Sequence, residues 1–143
     1  MTLTFLSLLL FTIFAILGGF HFYWLFGGTY GLKHVIPTKG PTTMNEQAIP
    51  PFATLIVALG LIFCGIVYLL KTELLILPIA NWIVEYALWF VPSIFLLRAI
   101  GEFNYVGFFK KIKDTEFAKA DSKLFSPLCL GIGATGFLVQ VLT

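Results

Sequence analysis

Charge is what this sequence has least of. Nine basic and seven acidic residues make up 11% of its 143 positions, against about 25% in an average soluble domain. A water-soluble fold of this length needs a polar outer shell, and so few charges cannot supply one. Cysteine is also scarce. Cys64 and Cys129 each sit inside an apolar run, with neither CxxC nor metal-ligand spacing, so they read as small buried hydrophobes rather than a disulfide framework. Catalytic signatures are missing too: there is no phosphate-cradling glycine loop, HExxH, nucleophile elbow or Ser/His/Asp frame. Gly27-Gly28 with Thr29-Tyr30-Gly31 closes a helix and follows no strand, so it is not a dinucleotide site. No cofactor and no metal are expected. The net charge of +2 is too small to imply nucleic acid.

What is there in quantity is hydrocarbon. Residues of the AVILMFWYC set reach 59%, where roughly 45–50% is usual even with glycine counted. A helix crossing ~30 Å of bilayer needs about 20 mostly apolar residues, and four stretches qualify: 3–26, 52–70, 74–97 and 125–142. The first has no preceding Lys or Arg and no A-x-A site, so it reads as a retained span rather than a signal peptide. The last is marginal in length. The runs are continuously apolar and too long for barrel strands. The expected fold is all-α, a single membrane domain over residues 1–143 built as a four-transmembrane-helix bundle. Gly131, Gly133 and Gly136 in the last span suit close helix packing.

The connections set the topology. Residues 71–73, Lys-Thr-Glu, form a short turn that makes spans two and three an antiparallel hairpin. Loops 27–50 and 98–124 share one side and carry Lys33, Lys39, Arg98, Lys110, Lys111, Lys113, Lys119 and Lys123, while the other side has only Lys71. Eight against one places those loops in the cytoplasm and both termini outside. Phe103, Tyr105, Val106, Phe108, Phe109, Ile112 and Phe117 interleave with the lysines of the last loop. Such a mixture suits the headgroup layer, so a short interfacial segment is expected between spans three and four, with Asp114 capping a helix from Thr115.

Polar residues inside the spans are the candidate sites. Glu85 falls near the middle of the third span, where an acid costs about 2.5–3.5 kcal/mol on insertion scales and should face the bundle interior, favoured in its neutral form. Asn81 lies one turn earlier on the same face, beside Trp82, Tyr86 and Trp89, with Pro78 and Pro92 flanking the segment. His21 lies about 7 Å inside the cytoplasmic end of the first span. Glu85, Asn81 and His21 form the candidate intramembrane site, although Glu85 and His21 sit too far apart in depth for direct contact without a kink. Each has two open readings: a proton- or ligand-binding group, or a hydrogen bond that only fixes packing. A second candidate cluster, at the cytoplasmic mouth, gathers Arg98, Glu102, Asp121 and His34, with Glu46 nearby. It reads either as a surface salt-bridge network or as a headgroup site.

His21-Phe-Tyr-Trp-Leu-Phe-Gly-Gly28, Pro37-Thr38, Arg98-Ala-Ile-Gly-Glu-Phe-Asn-Tyr-Val-Gly-Phe-Phe-Lys110, Phe117-Ala118, Asp121 and Ser126-Pro-Leu-Cys-Leu130 together resemble the small bacterial membrane proteins of domain-of-unknown-function family 3995. Relatives tend to carry Asp where this chain has Glu102, a change that keeps the charge. The resemblance implies a four-span inner- or plasma-membrane protein with its distinctive residues on the cytoplasmic side, and it implies no activity. Three functions compete on these residues. The first is binding of a lipid or small apolar molecule, with proton-linked transport requiring a homodimer at four spans. The second is a non-catalytic scaffold. The third is a membrane enzyme using Glu85 or His21 as acid/base. The lipid bilayer is a partner under all three.

Overall fold

The computed structural model describes residues 1–35, 50–103 and 106–143, and the Lys33 side chain is outside that description. Lys39, Glu46, Pro37-Thr38 and Tyr105 therefore lie outside the described residues. Among those described there is no strand, and four helices are long and apolar enough to cross a membrane.

α1 spans Thr2–Leu25 and is followed by a single turn, α2, at Leu32–Val35. Pro51, with its φ preset for helix, opens α3, which runs to Lys71. The chain does not re-enter helix at once. Thr72 folds its hydroxyl back to the Leu69 carbonyl at 2.7 Å, Glu73 takes a left-handed φ of 61°, and Pro78 disfavours helical backbone at Leu77. α4 begins only at Asn81 and ends at Ile100. The third span is thus displaced toward the C-terminus relative to 74–97, because hydropathy runs on through Leu74–Ala80 whether or not the backbone is helical.

The fourth span is longer than expected. Thr115, with extended backbone, accepts the Ala118 amide at 3.0 Å and caps α5, Glu116–Ala120. Thr115, rather than Asp114, is the cap because its hydroxyl oxygen accepts the amide of the third helical residue, Ala118. A π-turn at Asp121–Phe125 leads without a break into α6, Ser126–Val141. The continuous helix Glu116–Val141 measures 26 residues, ample for a bilayer.

The bundle is two tight pairs, α1 on α3 and α4 on α6, closed by lighter α1–α6 and α3–α4 contacts. Hairpin partners α3 and α4 are therefore not the main packing pair. Phe14 is the hub: its ring stacks on Tyr68 with centroids 6.0 Å apart and meets Phe95 edge-on at 5.2 Å. Pro92, inside α4, is received by the glycine face of α6. A Cβ at Gly136 would stand 2.8 Å from Pro92 Cβ and 2.5 Å from Tyr68 Oη, and one at Gly133 would stand 2.5 Å from Leu96 Cγ, whereas Gly131 meets nothing within 4 Å. Gly136→Ala should therefore destabilise the protein by about 1–3 kcal/mol, and Gly131→Ala should leave the melting temperature in detergent unchanged. No more than 33% of any span is buried within the protein, leaving broad apolar faces for lipid.

Candidate functional site

The structure splits the candidate intramembrane trio. Because α4 starts at Asn81, Glu85 lies about one turn inside the helix rather than at mid-span, and Asn81 is its exposed first residue. Glu85 accepts from Lys71 Nζ at 2.7 Å and from Gln140 Nε2 at 2.9 Å, tying the ends of α3, α4 and α6 together. Its side chain is 48% exposed. The expectation that Glu85 faces the bundle interior near mid-span is corrected: it is half exposed and hydrogen-bonded to two other helices near the span end. His21 lies toward the other end of the bundle. Its Nδ1 donates to the Leu17 carbonyl at 2.8 Å, and its ring meets Trp24 edge-on. His21 and Glu85 do not share a site.

The mouth cluster fares differently. Arg98 and Asp121 converge, and Lys110 joins them. Asp121 is fully buried and Lys110 is 2% exposed. Arg98 Nη2 donates to Asp121 Oδ1 at 2.8 Å. Oδ2 accepts from the Gly107 amide at 2.8 Å, Lys110 Nζ at 3.1 Å and Ser126 Oγ at 3.0 Å. Lys110 Nζ also donates to the Gly107 carbonyl at 3.0 Å and to Ser122 Oγ at 2.6 Å. A carboxylate offers about four lone-pair sites and an ammonium three donors. The ammonium uses all three donors, and the carboxylate accepts four hydrogen bonds, three of them at Oδ2.

Local sequence explains how the node closes. Gly101 ends α4 with φ 85° and Gly107 has φ 90°. The two glycines lie back to back, so the Phe108 amide reaches the Ala99 carbonyl at 2.8 Å and the Gly107 amide points at Asp121. The π-turn, a geometry that recurs at functional sites, places Asp121 and Ser126 together on that inward side. Isolated burial of such charges would be costly, and the pairing of Asp121 with Arg98 and Lys110 offsets it, although Arg98 Nη1 is buried without a hydrogen-bond partner. The network is buried rather than a surface one, with Asp121 and Lys110 both withdrawn from solvent. Among the described residues no group of three His, Cys, Asp or Glu side chains could hold a metal.

The other two mouth residues stand elsewhere. His34 on α2 pairs with Glu116 on α5, Nε2 to Oε2 3.4 Å, both exposed. Glu102 is exposed beside the loop. Sequence reasoning counted Lys110 only as one of several loop lysines. The available signal was the pair Gly101 and Gly107, which brackets a closed loop and singles out the residues just beyond it.

A shallow groove lies on the lipid-facing side of α1. Ile16, Gly19, Phe20 and Tyr23 recur at helical spacing and, with Tyr30 beside them, line an open depression of about 370 Å³. Tyr30 is held by Trp24 Nε1, which donates to its carbonyl at 2.9 Å. His21 does not line it.

Four helices long and apolar enough to cross a bilayer, with a buried ion node at the span–loop boundary, mark a multi-pass integral membrane protein. The chain belongs to the family described as "Protein of unknown function (DUF3995)", whose profile matches residues 14–135 and so includes every residue of the node. No curated protein and no solved structure matches it.

Proposed function

We propose that this protein binds a membrane lipid by one acyl chain, in the groove on α1, within a bacterial inner membrane where the termini face outward and the basic loops face the cytoplasm. The observation that carries the reading is the contrast between adjacent glycines. A Cβ at Gly18 would stand 2.7 Å from Ile62 Cδ1, so Gly18 serves the α1–α3 contact, whereas a Cβ at Gly19 meets nothing within 4 Å. Gly19 leaves an open floor between Phe20, Tyr23 and Tyr30, and the groove's volume lies at the small end of the roughly 300–1,000 Å³ range of ligand sites. Its lining is almost wholly apolar, which suits a hydrocarbon chain and no polar ligand.

Gly19→Leu tests this by filling the groove without touching the protein's packing. With a phosphatidylcholine bearing an acyl-chain diazirine, the wild-type protein should crosslink at Ile16–Tyr23. The leucine should displace about ten heavy-atom contacts at ~0.1 kcal/mol each, a loss of about fivefold in crosslink yield, with an unaltered melting temperature. Equal yields from both proteins would reject the reading. A scaffold role is the second reading, supported by the use of Glu85 and Asp121 in ties between helices.

A further inference from the structure

Lys110 and Lys111 are neighbours with opposite environments. Lys110 is turned inward and saturated, while Lys111 and Lys113 are exposed. The same closure that directs Lys110 inward presents Phe103, Phe108 and Phe109 outward, 55%, 42% and 64% exposed. These groups are physically joined. The Lys111 amide donates to the Phe103 carbonyl at 3.1 Å, and the rings of Phe103 and Phe109 lie 6.4 Å apart. The stretch begins at the end of a span, so its phenyl rings are placed where headgroup meets acyl chain, and Phe108–Lys113 contains three lysines and no acid.

We infer that Phe103, Phe109, Lys111 and Lys113 form a binding site for the phosphate headgroup of an anionic glycerophospholipid in the leaflet on the loop side. The two rings enter the acyl boundary, where an aromatic face is at home. The two ammonium groups meet the lipid phosphate and a second anionic lipid beside it. The buried node fixes the backbone between Gly107 and Lys110, so the exposed residues are held in register before any lipid arrives, which lowers the ordering cost of binding. Charge favours this occupant over a zwitterionic lipid, because juxtamembrane lysines gain attraction from anionic headgroups that net-neutral ones do not provide. This inference does not rest on the acyl-chain groove. It concerns a different surface and depends on headgroup rather than chain.

The experiment uses the full chain in nanodiscs containing phosphatidylglycerol and phosphatidylcholine with identical acyl chains. Lipid retained after ejection is counted by native mass spectrometry. The wild type should retain phosphatidylglycerol in preference, and the preference should weaken as salt in the preparation rises, since exposed charges are screened. Lys111→Gln with Lys113→Gln should lower the preference about thirtyfold while leaving the melting temperature unchanged. Lys119→Gln with Lys123→Gln, on the helix beyond, should lower it much less. Equal retention of the two lipids by the wild type would overturn the inference, independently of any variant. So would a preference untouched by the first double substitution, or one displaced by an RNA oligonucleotide at stoichiometric concentration, which would identify a nucleic-acid surface instead.

Discussion

Asp121→Asn should be among the most damaging single substitutions in this protein. The carboxylate is fully buried and receives Arg98, Lys110, Ser126 and the Gly107 amide. Asparagine keeps the shape but removes the charge, and it turns a donor amide either toward Arg98 or toward Lys110 and the Gly107 amide, all of which can only donate. Lys110, saturated and enclosed, is then a buried cation without a counterion, a situation that costs about 3–5 kcal/mol. A lower melting temperature in detergent and faster hydrogen exchange at the Gly107 amide should appear together. Lys110→Met should be milder, because Asp121 retains Arg98, Ser126 and the amide. The double variant should be no worse than Asp121→Asn alone, since removing Lys110 also removes the uncompensated charge. A wild-type melting temperature for Asp121→Asn would show that the node does not hold the loop.

The number of spans was legible because it depends only on the length and continuity of apolar runs. Their edges were not. Leu74–Ala80 is as hydrophobic as a helix interior, and only the local rule against helix before Pro78 reveals that α4 starts later; that shift carries Glu85 from mid-bilayer toward the span end and the Lys71 ammonium. The convergence of Arg98 and Asp121 was visible because both flank spans on one side. Distinguishing Lys110 from Lys111 was beyond composition, as the two are identical in type and adjacent in sequence. The loop closure between Gly101 and Gly107 decides which one is buried. The α1 groove was hidden for a further reason. In a bilayer both faces of a helix are apolar, so nothing in the pattern around Gly18 and Gly19 says which face meets α3 and which meets lipid.

These two levels, ionic node and glycine closure, make one device, and Gly101→Ala tests it from the other end. Gly101 has φ 85° and ψ −175°, a region open essentially to glycine alone, where an L side chain costs about 1–3 kcal/mol. The alanine methyl would also run into the Val106 carbonyl oxygen and the Gly107 backbone, and backbone has no rotamer by which to yield. The turn must therefore open. Opening it withdraws the Gly107 amide and carbonyl from Asp121 and Lys110, so strain at one residue is added to lost hydrogen bonds at two others, for a total above about 3 kcal/mol. Gly27→Ala is the comparison: its φ is 95°, yet a Cβ there meets nothing within 4 Å, so it should show the backbone strain alone. The melting temperature of Gly101→Ala should fall clearly below that of Gly27→Ala, with exchange at Gly107 accelerated only in the former. Equal melting temperatures would mean that the loop closes without the back-to-back glycines, and that Asp121 is held by its side-chain partners alone.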